Sequence, residues 1–172
     1  MILLGLPGAG KTTIARLAAE RLDAPWVDLD QVIALAQGAT IPELFAQHGE
    51  AHFRGLERQT LSELIGSGMP WVIAAGGGWA AQPGNLESVT GTALTLYLYV
   101  TPEVAAQRLG PALDRPLLTG AVLPKLRELL AARQDRYRLA DIEIDANAAA
   151  DLVAAAVATA ARQYGGWQVV DK

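Results

Sequence analysis

Gly5-Leu6-Pro7-Gly8-Ala9-Gly10-Lys11-Thr12-Thr13 stands between an apolar run, Met1–Leu4, and a helical period that opens at Lys11. A strand, a glycine-rich turn and a helix in that order form the setting in which backbone N–H groups gather around a polyphosphate. Gly5, Gly8 and Gly10 let the chain curl, so that amides around Ala9 turn inward. The positive end of the following helix adds to the attraction for anions. Lys11 is long enough to reach the β- and γ-phosphates, and the Thr12 hydroxyl, followed by Thr13, suits a Mg²⁺ ion carried by the nucleotide. Lys11 is also the only lysine before Lys125. The stretch predicts ATP binding and is silent about any second substrate.

Outward from this loop the chain keeps one rhythm. Apolar runs at 1–4, 25–28, 71–75, 93–100 and 141–145 alternate with helical periods near 11–22, 31–37, 50–67, 82–88, 102–109, 123–139 and 148–164. Strands separated by helices predict an α/β fold, a five-stranded parallel sheet flanked by helices on both faces. At 172 residues one domain is expected, its core formed by about 1–37, 68–109 and 122–164. Residues about 38–67 read as an excursion from that core, with a short helix near 41–47. Residues about 110–121, rich in Gly and Pro and without a period, read as a surface loop that could act as a lid.

Composition narrows the class. With 51% hydrophobic and 19% charged residues the chain is globular rather than disordered. A net charge of −4 leaves no basic footprint for nucleic acid or anionic membrane. The absence of cysteine excludes disulfides and thiolate chemistry. The most apolar stretch, Ala148–Ala161, carries Asp151 and is too short to span a bilayer. No charged leader opens the chain, and a monomeric cytoplasmic enzyme is expected.

The run Val72-Ile73-Ala74-Ala75-Gly76-Gly77-Gly78 ends without an acid, so a carboxylate for the metal must come from elsewhere. Asp28-Leu29-Asp30 closes the second strand, at the edge where ligands collect in such sheets. On an extended segment a spacing of two puts both acids on one side. One can orient Mg²⁺ or its waters, and the other can face an acceptor hydroxyl. The lesser reading makes Asp30 the cap of a helix starting at Gln31, which would leave Asp28 unexplained. Gly76-Gly77-Gly78 reads either as a flexible turn or as backbone approaching a ligand closely.

Taken together, Gly5–Thr13, Asp28-x-Asp30, Gly49-Glu50-x-x-Phe53-Arg54-x-x-Glu57, Gly76–Gly78, Arg108, Arg115-Pro116-Leu117-Leu118 and Arg133-x-x-x-Tyr137 resemble the shikimate kinase family over about residues 1–145. The resemblance implies a P-loop, nucleoside-monophosphate-kinase-like three-layer sandwich. It implies transfer of the γ-phosphate of ATP to the 3-hydroxyl of shikimate, a step of aromatic amino-acid biosynthesis. It further implies that Asp30 faces that hydroxyl, that Arg54 and Arg133 hold the substrate carboxylate, and that Glu57 orients Arg54. Gly76, Gly77 and Gly78 would meet the substrate through their backbone. Arg115 would close over the phosphates, Arg108 would lie along adenine, and Thr12 with Asp28 would organise Mg²⁺. An Arg fork beside small polar groups suits an acceptor with one carboxylate and several hydroxyls.

Some positions depart from the family's common form. Ala34 stands where an acid is expected, Gln134-Asp135 lacks a proline before Tyr137, and Trp79 is bulky for its place beside the glycines. Trp79 is expected to pack in the core. Arg136 is an alternative to Arg133 if the helical register slips by three. Two other functions share the motifs: a gluconate-type small-metabolite kinase, and a non-catalytic sensor of an aromatic ligand. His48 and His52 lack further ligands nearby and are not expected to bind metal.

Overall fold

The computed structural model describes residues 1–110 and 122–167. Five parallel strands, β1 (Ile2–Leu4), β2 (Trp26–Asp28), β3 (Val72–Ala74), β4 (Thr95–Tyr99) and β5 (Ile142–Asp145), lie in the order β2-β3-β1-β4-β5. Seven helices among the described residues surround them: α1 (Lys11–Leu22), α2 (Leu29–Gln37), α3 (Ile41–Gly66), α4 (Asn85–Val89), α5 (Pro102–Leu109), α6 (Val122–Tyr137) and α7 (Ala150–Tyr164). The expected parallel sheet is present, and β1 is its central strand.

Burial explains that placement. Ile2, Leu3 and Leu4 are all buried, as a strand covered on both faces requires. Each such side chain contributes about 2 kcal/mol through burial. The partners run in step: Ile2 sits opposite Ile73 of β3 and Thr95 of β4, and Leu3 opposite Ala74 and Leu96. The loops leaving β1 and β3 therefore emerge side by side at one edge of the sheet. Helix α1 buries Ala15, Ala18 and Ala19, and α7 buries Ala154, Val157, Ala158 and Ala161. These two helices pack on each other, and small residues on both let their axes approach closely. The apolar stretch Ala148–Ala161 thus supplies one buried face of α7; Asp151 lies on its exposed side and pairs with Arg21 at 2.9 Å. Among the described residues no helix is long and apolar enough to cross a membrane.

Several boundaries differ from the sequence reading, and capping explains the two that bear on the site. Helix α2 starts at Leu29, two residues early, because Asp28 is its N-cap and accepts from the N–H groups of Asp30 (3.1 Å) and Gln31 (3.4 Å). Asp30 is therefore not the cap. The 41–47 helix and the 50–67 helix join into α3, broken only by non-helical backbone at Gly49 (φ 78°, ψ 171°). A capping box of Thr40 and Glu43 starts α3, which explains why a helix forms so soon after Gly38. Helix α4 covers residues 85–89 rather than 82–88.

Candidate active site

The loop between β1 and α1 has the backbone its glycines allow. Gly5, Gly8 and Gly10 take φ of 140°, 84° and 85°, the left-handed range open to glycine. Gly8 is doubly constrained, because a Cβ there would lie 2.6 Å from the Ala105 carbonyl oxygen of α5. Helix α5 is held under the loop by its own start. Thr101 accepts from the Val104 N–H, and the Asn147 side-chain oxygen takes the Thr101 N–H (2.9 Å) and hydroxyl (3.2 Å). Lys11 donates to the carbonyls of Gly5 and Leu6, both at 3.0 Å, so its ammonium is folded over the loop. Among the described residues no side chain caps α1 at Gly10. Its first-turn amides are left available to an anion.

A cavity of about 590 Å³ opens above this loop, and it is polar where the chemistry needs it. Lys11, Thr12, Thr13, Asp28, Asp30, Gly76, Gly77 and Arg108 line it. The Thr12 hydroxyl donates to Asp28 Oδ2 (2.5 Å), while Asp28 Oδ1 caps α2. Asp28 is thereby fixed beside the phosphate loop. Asp30 reaches the same cavity from the first turn of α2, not from an extended strand as the spacing of two suggested. At the far end Arg108 donates to the carbonyls of Asn147 (3.2 Å) and Ala148 (2.8 Å), and Ala148, Ala149 and Ala150 complete the wall.

Gly76, Gly77 and Gly78 gather the remaining candidates beside this cavity. A Cβ on Gly76 would lie 2.5 Å from Glu57 Oε1 and 2.9 Å from Asp30 Oδ1; one on Gly78 would lie 2.5 Å from Arg54 Nη2. None of the three has positive φ. Gly76 is pressed by two acids and Gly78 by a guanidinium, while a Cβ on Gly77 would lie 3.3 Å from the Pro7 ring. Arg54, Glu57, Gly78 and Arg133 do not line the large cavity itself, but all four adjoin the glycine turn that forms its side. Arg133 donates to the Gly77 carbonyl at 2.9 Å, whereas Arg136 pairs with Glu87 at 2.9 Å. Of the two arginines, Arg133 is the one beside the glycines.

Arg54 is only 7% exposed and is held on every side. Its Nη1 donates to Glu57 (2.5 Å), and its Nε and Nη2 donate to Glu50 (3.2 and 2.9 Å). The Phe45 and Phe53 rings lie 6.0 and 5.5 Å from the guanidinium. Glu57 is fully buried, and its Oε1 has no hydrogen-bond partner among the described residues. Burial pushes its carboxyl up to about 6 against the pull of Arg54, with the charges of Asp30 and Glu50 adding to the rise. A buried acceptor left open beside a guanidinium is a place for a ligand's hydroxyl or a water.

Trp79 packs in the core, 1% exposed, as expected, and accepts from the Asn85 side chain at its carbonyl (2.8 Å). Arg115 and the loop about 111–121 lie outside the described residues. Two functional contributions were not read from sequence. Glu50 was quoted without a role, although its place four residues before Arg54 on a helix signals a pair. Asn147, just past β5 at the ligand edge of the sheet, ties the start of α5 that supports the phosphate loop.

A parallel α/β sheet with this loop after its central strand, and a cavity lined by Lys11, Asp28, Asp30 and Arg108, defines a P-loop kinase of a small molecule. The family model described as shikimate kinase matches residues 7–162, and the chain belongs to that family. A shikimate kinase of Stenotrophomonas maltophilia is 39% identical over 168 residues, covering 95% of this chain and 93% of its own. One of Thiobacillus denitrificans is 42% identical over 148 residues, covering 84% and 80%. Among solved structures, shikimate kinase from Acinetobacter baumannii in complex with shikimate superposes with a TM-score of 0.87 at 36% identity, covering 97% of this chain and 94% of that one.

Proposed function

We propose that the chain transfers the γ-phosphoryl group of ATP to the 3-hydroxyl of shikimate, giving shikimate 3-phosphate and ADP. The observation that carries this reading is the meeting of Asp30, Arg54, Glu57 and Arg133 on one glycine turn beside the phosphate loop. That turn offers an anion fork and hydroxyl partners at the point where a phosphoryl group would arrive.

Each residue has a task in such a transfer. The amides from Gly8 to Thr13 and the Lys11 ammonium would hold the phosphates, and Arg108 would flank the adenine. Arg54 and Arg133 would seat the acceptor carboxylate, with Glu57 keeping Arg54 aligned. Asp30 would align the acceptor hydroxyl and accept its proton as the new O–P bond forms. The transition state of phosphoryl transfer is loose, so positioning and charge neutralisation supply most of the acceleration. Arg115 would bring a further positive charge to the transferring group, a contribution on the order of 10³–10⁵ in related chemistry.

The residues also fit Mg²⁺. The Thr12 hydroxyl and the Asp28 carboxylate form an oxygen pair facing the cavity, and no group of three metal-ligating side chains exists among the described residues. An ion that keeps waters and shares phosphate oxygens suits so sparse a set. When bound it would neutralise phosphate charge.

A coupled ADP-release assay offering shikimate and gluconate side by side tests the reading. Turnover with shikimate and none with gluconate is expected; turnover with gluconate alone would overturn the acceptor assignment.

A further inference from the structure

The Gly77 carbonyl accepts two hydrogen bonds from α6, one from the Tyr137 hydroxyl (2.5 Å) and one from Arg133 Nη1 (2.9 Å). Tyr137 is fully buried, and its ring lies against Tyr97 of the sheet, with centroids 5.1 Å apart. The phenol is therefore braced by the core. The peptide joining Gly77 to Gly78 is trans, so its N–H points opposite to its carbonyl. With the oxygen drawn to α6, the Gly78 N–H is turned away from that helix. Gly78 is buried, its Cα stands beside the Arg54 guanidinium, and its N–H makes no hydrogen bond among the described residues. Buried amides without partners are rare, and one next to an arginine fork is a donor kept for an anionic ligand.

We infer that Tyr137 is a positioning residue for the acceptor: it holds the Gly77 carbonyl so that the Gly78 amide faces the acceptor carboxylate and Arg133 can leave the carbonyl to meet that carboxylate. The second half follows from the count of donors. Without the phenol, Arg133 is the only remaining partner of the carbonyl among the described residues. It must then either stay there, away from the acceptor, or depart and leave the carbonyl with neither of its two donors. With the phenol in place, Arg133 moves without that cost. The assignment of the ligand rests on the function proposed above; the orientation of the peptide does not.

Tyr137→Phe removes one oxygen and keeps the ring packing. Its KM for shikimate should rise about tenfold, the loss of one well-placed hydrogen bond, while the KM for ATP stays within about twofold of the original. Arg133→Met alone should also raise the KM for shikimate, and adding Tyr137→Phe to it should raise that KM again, because the carbonyl that sets the Gly78 amide then has neither donor. An unchanged KM for shikimate in Tyr137→Phe, or no further rise in the double variant, would overturn the proposal. A lower Tm with equal effects on both substrates would reduce Tyr137 to a packing residue. An independent readout uses ¹⁵N-glycine labelling without acceptor: the Gly78 amide resonance should move in Tyr137→Phe and hold in Arg133→Met, where the phenol still anchors the carbonyl. A resonance unmoved in the first variant would refute the orientation. If the wild-type protein does not phosphorylate shikimate, the function fails, yet that spectrum still decides the role of Tyr137.

Discussion

Two glycine turns leave adjacent strands at one edge of the sheet, and they need glycine for different reasons. After β1, Gly5, Gly8 and Gly10 all have positive φ, so the backbone itself demands the residue. After β3, Gly76 and Gly78 have ordinary φ, and glycine is required because Glu57, Asp30 and Arg54 occupy the space a side chain would take. The first turn is shaped by its own dihedrals and can bind phosphate through amides wherever a strand and a helix flank it. The second is shaped by what leans on it from α2, α3 and α6, and in the proposed function it is the turn that would select the acceptor.

That division can be broken by experiment. Lys11→Ala should cut kcat by about 10²–10³-fold or more, the scale of one lost charge-stabilising donor, with little change in Tm; retained turnover would remove the phosphate loop from the chemistry. Arg54→Ala should act on the other turn, raising the KM for shikimate by about 30-fold or more, since truncating one member of a buried charged pair costs 2 kcal/mol or more. An unchanged KM for shikimate would detach Arg54 from the acceptor. Gly8→Ala and Gly78→Ala make the sharpest pair. Each should cost about 1–3 kcal/mol of stability through overpacking, but Gly8→Ala should weaken ATP and Gly78→Ala shikimate. If both variants lose the same substrate, the two turns are not separate sites.

The smallest effect concerns pH. Glu57 is raised by burial from 4.5 to about 6, so its neutral form favours the folded state. Wild-type stability relative to Glu57→Gln should fall as pH rises from about 4.5 to 6 and then level off. A difference in Tm that stays constant across that window would show that burial does not govern this carboxyl.

Much of this was legible in the residues. Lys11 and the three glycines before it announce a phosphate loop because backbone curvature is local and its spacing is strict. The five strands were also visible, since a strand buried on both faces must be apolar throughout, as Ile2–Leu4 is. Asp30 was misplaced onto an extended segment because one side-chain cap, Asp28, pulls helix α2 back by two residues. The bond from Tyr137 to Gly77 spans sixty positions, and no periodicity reports a contact that distant. Glu50 was visible in principle as the i, i+4 partner of Arg54, but only burial of the arginine makes the pair matter.

The pairing of Ile2 with Ile73 and Leu3 with Ala74 acts as a ruler for the chemistry. It sets how far the donor's cradle stands from the acceptor's cradle, in steps of about 3.3 Å that only backbone length can change. Exchanging side chains retunes affinity on either side but leaves that gap as it is. A residue inserted into or deleted from β3 would alter the gap and turn the glycines to the opposite face at once. Substitution can therefore give this scaffold a new acceptor far more readily than a new reach.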